Sequence, residues 1–454
     1  MPRRSARIGF ALLASPSQAG IDRARRIAED SKKYIQKREG IEVCCPDDPV
    51  VTLDDAARAA SLFRRSEVDA IVVQHGTVSP VRLSIELVRD LGLPLATWGI
   101  PEPPLDGSPH GCGSMTSLLA HASALRALGR RFTYVYGLPD SEECRRDIDR
   151  FIRAVGVRKA LRKSKIALIG YVAPGAMQTF DEVAIKGVFG VEVEHIDLSE
   201  ILQQIAALTV DEIESDVHDV HSGDYRVEVA NQQALRRSCA AHAAIRKILE
   251  RGGFAAAAPK CWPEMLERHS LGICAAVSRL TDSGIITSCA GDVDGALSML
   301  VQHLYTTRPP FLGDWLQRDE KSNQVFFWHC GSAPASLVNP RCDARLIDAP
   351  RGEGNVAFDF PLKTGDVTVA RLLSCAGGFK MLVLRGKAVE SAQSMQGTYV
   401  SVRFETPVRR LLDTILVHGF PQHYSIIYDD IKDDLLEFAG QCGIEAVAPE
   451  PGEP

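Results

Sequence analysis

Two short segments place carboxylates where a catalytic cleft can open. The apolar run ending at Ala258 continues into Pro259-Lys260-Cys261-Trp262-Pro263-Glu264, and the run ending at Cys289 continues into Ala290-Gly291-Asp292-Val293-Asp294-Gly295. In an open α/β sheet, ligands bind beyond the carboxyl ends of the strands, so Glu264 and Asp292 are expected on one rim. Together they can hold a hard divalent cation through oxygen or act as acid and base on a bound sugar. The competing reading is structural: Asp292 or Asp294 is also an ordinary helix N-cap, and Glu264 an ordinary first-turn acid. Position alone leaves both open.

Two histidines extend the set. His329 ends the bulky run Phe326-Phe327-Trp328, at an expected strand edge, and His423 lies on the Pro-containing stretch Gly419-Phe420-Pro421-Gln422, read as a loop. A lone histidine is more often structural than a ligand. Two histidines beside two carboxylates, however, make an N₂O₂-type set suited to Mn²⁺ or a similar ion. Asp216, His218, Asp219 and His221 form a denser cluster, read as an exposed loop because the stretch lacks a core pattern. Asp292-Val293-Asp294-Gly295 resembles part of a calcium loop, but His303 stands where that loop needs an acid. Cys261 and Cys330 are read as packing. No glycine-rich nucleotide loop and no serine nucleophile elbow occurs, which leaves hydride transfer, phosphoryl transfer and serine hydrolysis without their usual parts.

These residues must be positioned by alternating strands and helices. Ile8 to Leu13, Val68 to Val73, Leu95 to Trp98 and Phe132 to Tyr136 are strand-length apolar runs. Helical spacing separates them, as in Ile21, Ala24, Ile27, Ala28 and Ile35, and Thr52 to Asp55 has capping-box character. A second cycle begins at Lys165 to Gly170, turns at Ala173-Pro174-Gly175-Ala176 and continues through Val191 to Ile196, Phe254 to Ala258 and Ile285 to Cys289. Beyond Pro309-Pro310 the runs Thr368 to Leu373, Lys380 to Leu384 and Thr398 to Phe404 are β-rich. The expected fold class is α/β: two doubly wound parallel-sheet domains over 1–162 and 163–310, then a β-rich C-terminal domain over 311–454. The tail from Pro449 to Pro454 is expected to be disordered.

Composition narrows the function classes. The chain has 454 residues, a net charge of −6, 45% hydrophobic and 24% charged residues, a balance that argues against a nucleic-acid surface. No apolar run reaches the roughly 18 residues of a membrane span. The basic start Met1-Pro2-Arg3-Arg4 leads into a first strand rather than an export signal. Twelve cysteines are spread along the chain with no CxxC pair, as expected of reduced thiols in a cytoplasmic protein.

The ordered set of motifs resembles the L-fucose isomerase and L-arabinose isomerase-like family. Lys260 to Glu264, Cys289 to Leu297, Phe311-Leu312-Gly313-Asp314, His329-Cys330-Gly331 and Gly419 to Tyr424 carry the resemblance. In the N-terminal part, Trp98-Gly99-Ile100-Pro101-Glu102 carries it, with the helix that follows through Gly129. The resemblance implies three domains, a Mn²⁺-type ion and aldose–ketose isomerisation of a monosaccharide through a cis-enediol. Glu264 and Asp292 would hold the metal and shuttle protons, and His423 and His329 would be further ligands. It also implies a homo-oligomer with shared active sites, in which Trp98 would contact substrate from a neighbouring subunit. Two departures stand out: Ala290 replaces a glutamate common in relatives, and Gln422 replaces a histidine or asparagine. Both point towards a different substrate, such as an acidic or sulfonated sugar, for which Lys260 is a candidate anion contact and Gln422 a candidate substrate contact. A non-catalytic sugar-binding protein is the alternative from another class.

Overall fold

The computed structural model describes residues 6–16, 18, 20–104, 112–174, 180–349 and 354–450. Gly175 and Ala176 of the expected turn, and residues 451–454 of the tail, lie outside them. The chain divides into two compact units, residues 1–160 with 433–443, and residues 161–432 with 444–454.

The first unit is built on β1 (Ala6–Leu13), β2 (Ile41–Cys44), β3 (Ala70–His75), β4 (Leu95–Gly99) and β5 (Thr133–Tyr136), all parallel in the order β2-β1-β3-β4-β5. Strand periodicity divides the side chains between two cores. Ile8, Phe10, Ala70 and Val72 join Trp98 and Phe151 on one face. Ala11, Leu13, Ile71 and Val73 join Ala56, Phe63 and Leu87 on the other. Burial on both faces explains why the central strands read as continuous apolar runs. Thr52 and Asp55 form the expected capping box at the helix Leu53–Arg65.

The second unit contains β6 (Lys165–Ile169), β7 (Glu192–Ile196), β8 (Arg226–Glu228), β9 (Ala256–Pro259), β10 (Ile286–Thr287), β11 (Phe311–Asp319), β12 (Gln324–His329), β13 (Arg345–Asp348), β14 (Val356–Pro361), β15 (Gly365–Cys375), β16 (Gly378–Val389), β17 (Thr398–Phe404), β18 (His423–Ile427) and β19 (Glu445–Val447). A parallel sheet runs β10-β9-β6-β7. The β-rich part is a ten-stranded mixed sheet in the order β19-β16-β15-β18-β11-β12-β17-β14-β13-β8. An additional β16–β17 pairing closes six of its strands into an antiparallel barrel. Closure removes their exposed edges and encloses an apolar core that includes Phe327, Val367, Val369, Leu382, Val402 and Ile426.

The helix Val293–Thr306 packs against both the parallel sheet and the barrel. All twelve residues from Val293 to Leu304 are buried, as expected of a helix covered all round. Its polar side chains are matched to the barrel. The Ser374 backbone N–H and hydroxyl donate to Asp294, the Leu372 N–H donates to Ser298 Oγ, and Gln302 donates to the Thr368 carbonyl. This ladder fixes the register between the helix and β15, and with it the position of Asp292 at the helix start. Among the described residues, no helix is long and apolar enough to cross a membrane.

Candidate metal centre

Barrel pairing gathers three donors that lie far apart in sequence. β11 is antiparallel to both β12 and β18, with Asp314 opposite Trp328 on one side and His423 on the other. His329 is the last residue of β12, next to Trp328. One donor atom from each of Asp314, His329 and His423 lies within 4.8 Å of the others. His423 Nε2 is 3.4 Å from Asp314 Oδ1, and the two imidazole rings are 5.7 Å apart between centres. Both histidines are buried, whereas Asp314 is partly exposed. Two imidazoles and one carboxylate converging on a single point suit a first-row divalent ion, so the residues present fit the metal that the sequence resemblance implies.

Behind this set sits a buried ionic group. Arg371, from β15, donates through Nη1 to Asp292 Oδ2 at 2.5 Å and through Nη2 to Asp292 Oδ1 at 2.9 Å. The Gly295 N–H donates to Asp292 Oδ1 at 2.8 Å, so Asp292 is also the N-cap of the helix it starts. His423 Nδ1 lies 3.0 Å from Asp292 Oδ2. Burial alone would raise the Asp292 pKa, but the Arg371 charge and the His423 hydrogen bond outweigh it and hold the carboxyl well below the usual range. An ionised carboxylate only accepts, so Nδ1 of His423 donates to Asp292, and Nε2 is turned towards Asp314. This is how an outer carboxylate orients a metal-binding imidazole. Gly295 makes the arrangement possible, because a Cβ there would meet Asp292 Oδ2 at 2.4 Å and Arg371 Nη1 at 2.9 Å. His329 Nδ1 accepts the Cys330 N–H at 3.0 Å and lies 3.0 Å from Ser332 Oγ.

The donors open onto a cavity of about 590 Å³, whose wall also includes Trp262, Glu267, Ala290, Trp328 and Gln422. Of the four ligands expected from sequence, His329 and His423 meet there, and Asp314 joins them. Asp292 does not, because its two oxygens are taken up by Arg371, His423 and the helix N-terminus. Glu264 also stands apart. It opens the π-helical turn Glu264–Arg268 and pairs with Lys260 at 2.9 Å, a contact that lowers its pKa. Neither Glu264 nor Lys260 lines the cavity. Glu267, one turn on, does line it, and accepts the Trp262 indole N–H at 2.5 Å. Gln422 is on the cavity wall, and its backbone carbonyl accepts the Trp315 backbone N–H. His423 itself is the first residue of β18 rather than part of a loop.

Trp98 corrects a further expectation. It is fully buried in the first unit's core, with its indole N–H donating to the Gly137 carbonyl at 2.9 Å, and so offers no surface to a neighbouring subunit. Trp98→Ala is expected to cost about 3–5 kcal/mol of stability, measurable by chemical denaturation. An unchanged denaturation midpoint would contradict this placement. The cluster around Asp216 is likewise not a loop. It belongs to the helix Val210–His221, capped by Thr209 and Glu212. Asp216 is buried against His242 at 2.6 Å and Arg279 at 2.5 Å, whereas His218, Asp219 and His221 do not share that contact.

The fold and the cavity define an α/β protein with a candidate two-histidine, one-carboxylate metal centre. The chain is similar to fucose isomerase-like proteins in its N-terminal part and to sulfoquinovose isomerases along most of its length. Residues 21–162 match the family described as fucose/sulfoquinovose isomerase, N-terminal domain. The sulfoquinovose isomerase of Priestia aryabhattai is 27% identical over 405 residues, covering 89% of this chain and 90% of that protein. The sulfoquinovose isomerase of Clostridium sp. (strain MSTE9) is 26% identical over 437 residues, covering 95% of both. Among solved structures, a periplasmic solute-binding protein from Actinobacillus succinogenes 130z with bound D-allose is 15% identical. It covers 67% of this chain and 93% of that one at a TM-score of 0.18, a likeness too low to carry any argument.

Proposed function

We propose that this chain is an aldose–ketose isomerase acting on an anionic monosaccharide, a sulfonated sugar of the sulfoquinovose type, at the cavity lined by Asp314, His329 and His423. The observation that carries the reading is the convergence of those three donors within 4.8 Å on a cavity wall. Relatives named as sulfoquinovose isomerases along nearly the whole chain support the substrate class. So does Ala290, which lines the cavity without adding a negative charge that would repel such a substrate.

In this reading Asp314, His329 and His423 hold a Mn²⁺-type ion, which when bound polarises the sugar carbonyl as a Lewis acid. Asp292 and Arg371 are positioning residues that fix the His423 ring. Trp262 and Trp328 contribute apolar wall. Asp314 and Glu267 are the carboxylates among the residues lining the cavity. With Asp314 assigned to the ion, Glu267, its carboxylate oriented by the Trp262 N–H, moves the proton between C2 and C1 of the open-chain sugar while the O2 hydroxyl proton passes to O1. Glu267→Gln is therefore expected to lower kcat by about 10²–10⁴ while leaving metal affinity unchanged. Glu264→Gln, which breaks only the pair with Lys260, is expected to act far more mildly. Steady-state assay of both variants on sulfoquinovose with Mn²⁺ decides the matter, and the reverse ranking returns the proton transfer to Glu264.

A further inference from the structure

Four thiols, Cys261, Cys274, Cys289 and Cys330, line the same cavity, and the chemistry assigned above uses none of them. They form two close pairs. The sulfurs of Cys261 and Cys289 are 3.3 Å apart, and those of Cys274 and Cys330 are 3.6 Å apart. The first pair is brought together by the parallel sheet. β9 and β10 are neighbours with Ala257 opposite Thr287, so the loops leaving them run side by side. The contact is braced by the Gly291 N–H on the Pro259 carbonyl at 3.1 Å.

We propose that Cys261 and Cys289 are an oxidation site, forming an intrachain disulfide when a small peroxide enters the cavity. The Cys261 thiolate attacks one peroxide oxygen, the O–O bond breaks, and the sulfur is oxidised to a sulfenic acid as hydroxide leaves and takes up a proton to become water. The Cys289 sulfur then attacks the Cys261 sulfur, the S–O bond breaks, and a second water leaves with the Cys289 proton. In sum, two thiols lose two electrons and two protons, and one hydrogen peroxide becomes two waters.

Several features favour this pair. Its sulfurs need only close from 3.3 Å to the roughly 2.05 Å of a disulfide. Cys261 is partly exposed and reachable through the cavity, whereas Cys289 is buried behind it. The Cys289 S–H donates to the Cys261 sulfur. That hydrogen bond, outweighing burial and helped by the backbone N–H groups of Ala290 and Cys261, brings the Cys261 thiol down to about 7. Such a thiol carries much thiolate at neutral pH.

The test uses the full chain and needs no turnover, so its outcome is separate from that of the isomerase reading. The protein is treated with hydrogen peroxide, remaining thiols are alkylated, and non-reduced peptides are mapped by mass spectrometry. The expected product joins the Cys261 and Cys289 peptides at about 2 Da below their summed reduced mass, with loss of two alkylatable thiols, both reversed by a thiol reductant. In Cys289→Ala the link is absent and Cys261 is trapped by dimedone as a sulfenic acid, while Cys289→Ser gives the same readout should the alanine variant not fold. Full alkylation of Cys261 after peroxide, or a dominant Cys274–Cys330 link, would overturn the proposal.

Discussion

Truncating Arg371 to alanine is expected to destabilise the second unit by about 3–5 kcal/mol, the range for breaking a buried ion pair by removing one partner. The Arg371 side chain is 1% exposed and that of Asp292 is 0%, so removing the guanidinium leaves a carboxylate with no water to replace its two donors. The effect has a pH signature that separates charge from packing. With Arg371 present, the Asp292 pKa is depressed, and its contribution to stability is kept down to strongly acid pH. Without Arg371, the strongest opposing charge is gone, and burial is expected to push the folded-state pKa up against the remaining His423 and Gly295 hydrogen bonds. The charged form is then the costly one, and the penalty is full at neutral pH and shrinks as pH falls and Asp292 takes up a proton. Denaturation of both proteins at pH 7.5 and pH 5.5 should show the gap narrowing on acidification. A gap independent of pH would mean that Arg371 acts through packing alone.

Removing a first donor is expected to abolish metal-dependent turnover while leaving the fold intact. Asp314→Asn keeps the shape of the side chain and the β11 ladder but removes the anionic oxygen. Loss of an outer partner of a metal ligand costs about 10–100-fold in affinity or activity, so loss of a ligand itself should exceed that range. Asp292→Asn, which loosens the orientation of His423 and leaves Arg371 without its counter-charge, should fall within it and also lose stability. Chelation of the wild type should reproduce the Asp314→Asn phenotype, and added Mn²⁺ should restore the wild type alone. Circular dichroism and the denaturation midpoint of Asp314→Asn should match the wild type, since Asp314 is partly exposed and its strand pairing uses backbone groups.

The elements legible in the sequence are those whose burial is simple. β1, β3 and β4 read correctly because both of their faces are covered, leaving unbroken apolar runs. β2 was invisible because Ile41-Glu42-Val43-Cys44 is a half-exposed edge of four residues. The helix Val210–His221 escaped notice because only Asp216 and Val220 of its residues are buried, which erases the apolar stripe. The site follows the same logic. His329 and His423 could be singled out as residue types, but their convergence with Asp314 depends on cross-strand register in a closed barrel, which no local pattern encodes. Asp314 closes Phe311-Leu312-Gly313-Asp314 inside β11, and an acid within a strand carries no loop signal to mark it as a ligand. Arg371 did carry a usable signal: a charge within Val367-Thr368-Val369-Ala370-Arg371-Leu372-Leu373 needs a buried partner, and that partner is the carboxylate otherwise assigned to the metal.

The most direct test of the account is titration of Mn²⁺ into the apo-protein by calorimetry, comparing wild type with Asp314→Asn, His423→Gln and Glu264→Gln. A single site is expected in the wild type and in Glu264→Gln, and loss of that site in Asp314→Asn and His423→Gln. Binding that survives in Asp314→Asn and vanishes in Glu264→Gln would contradict it.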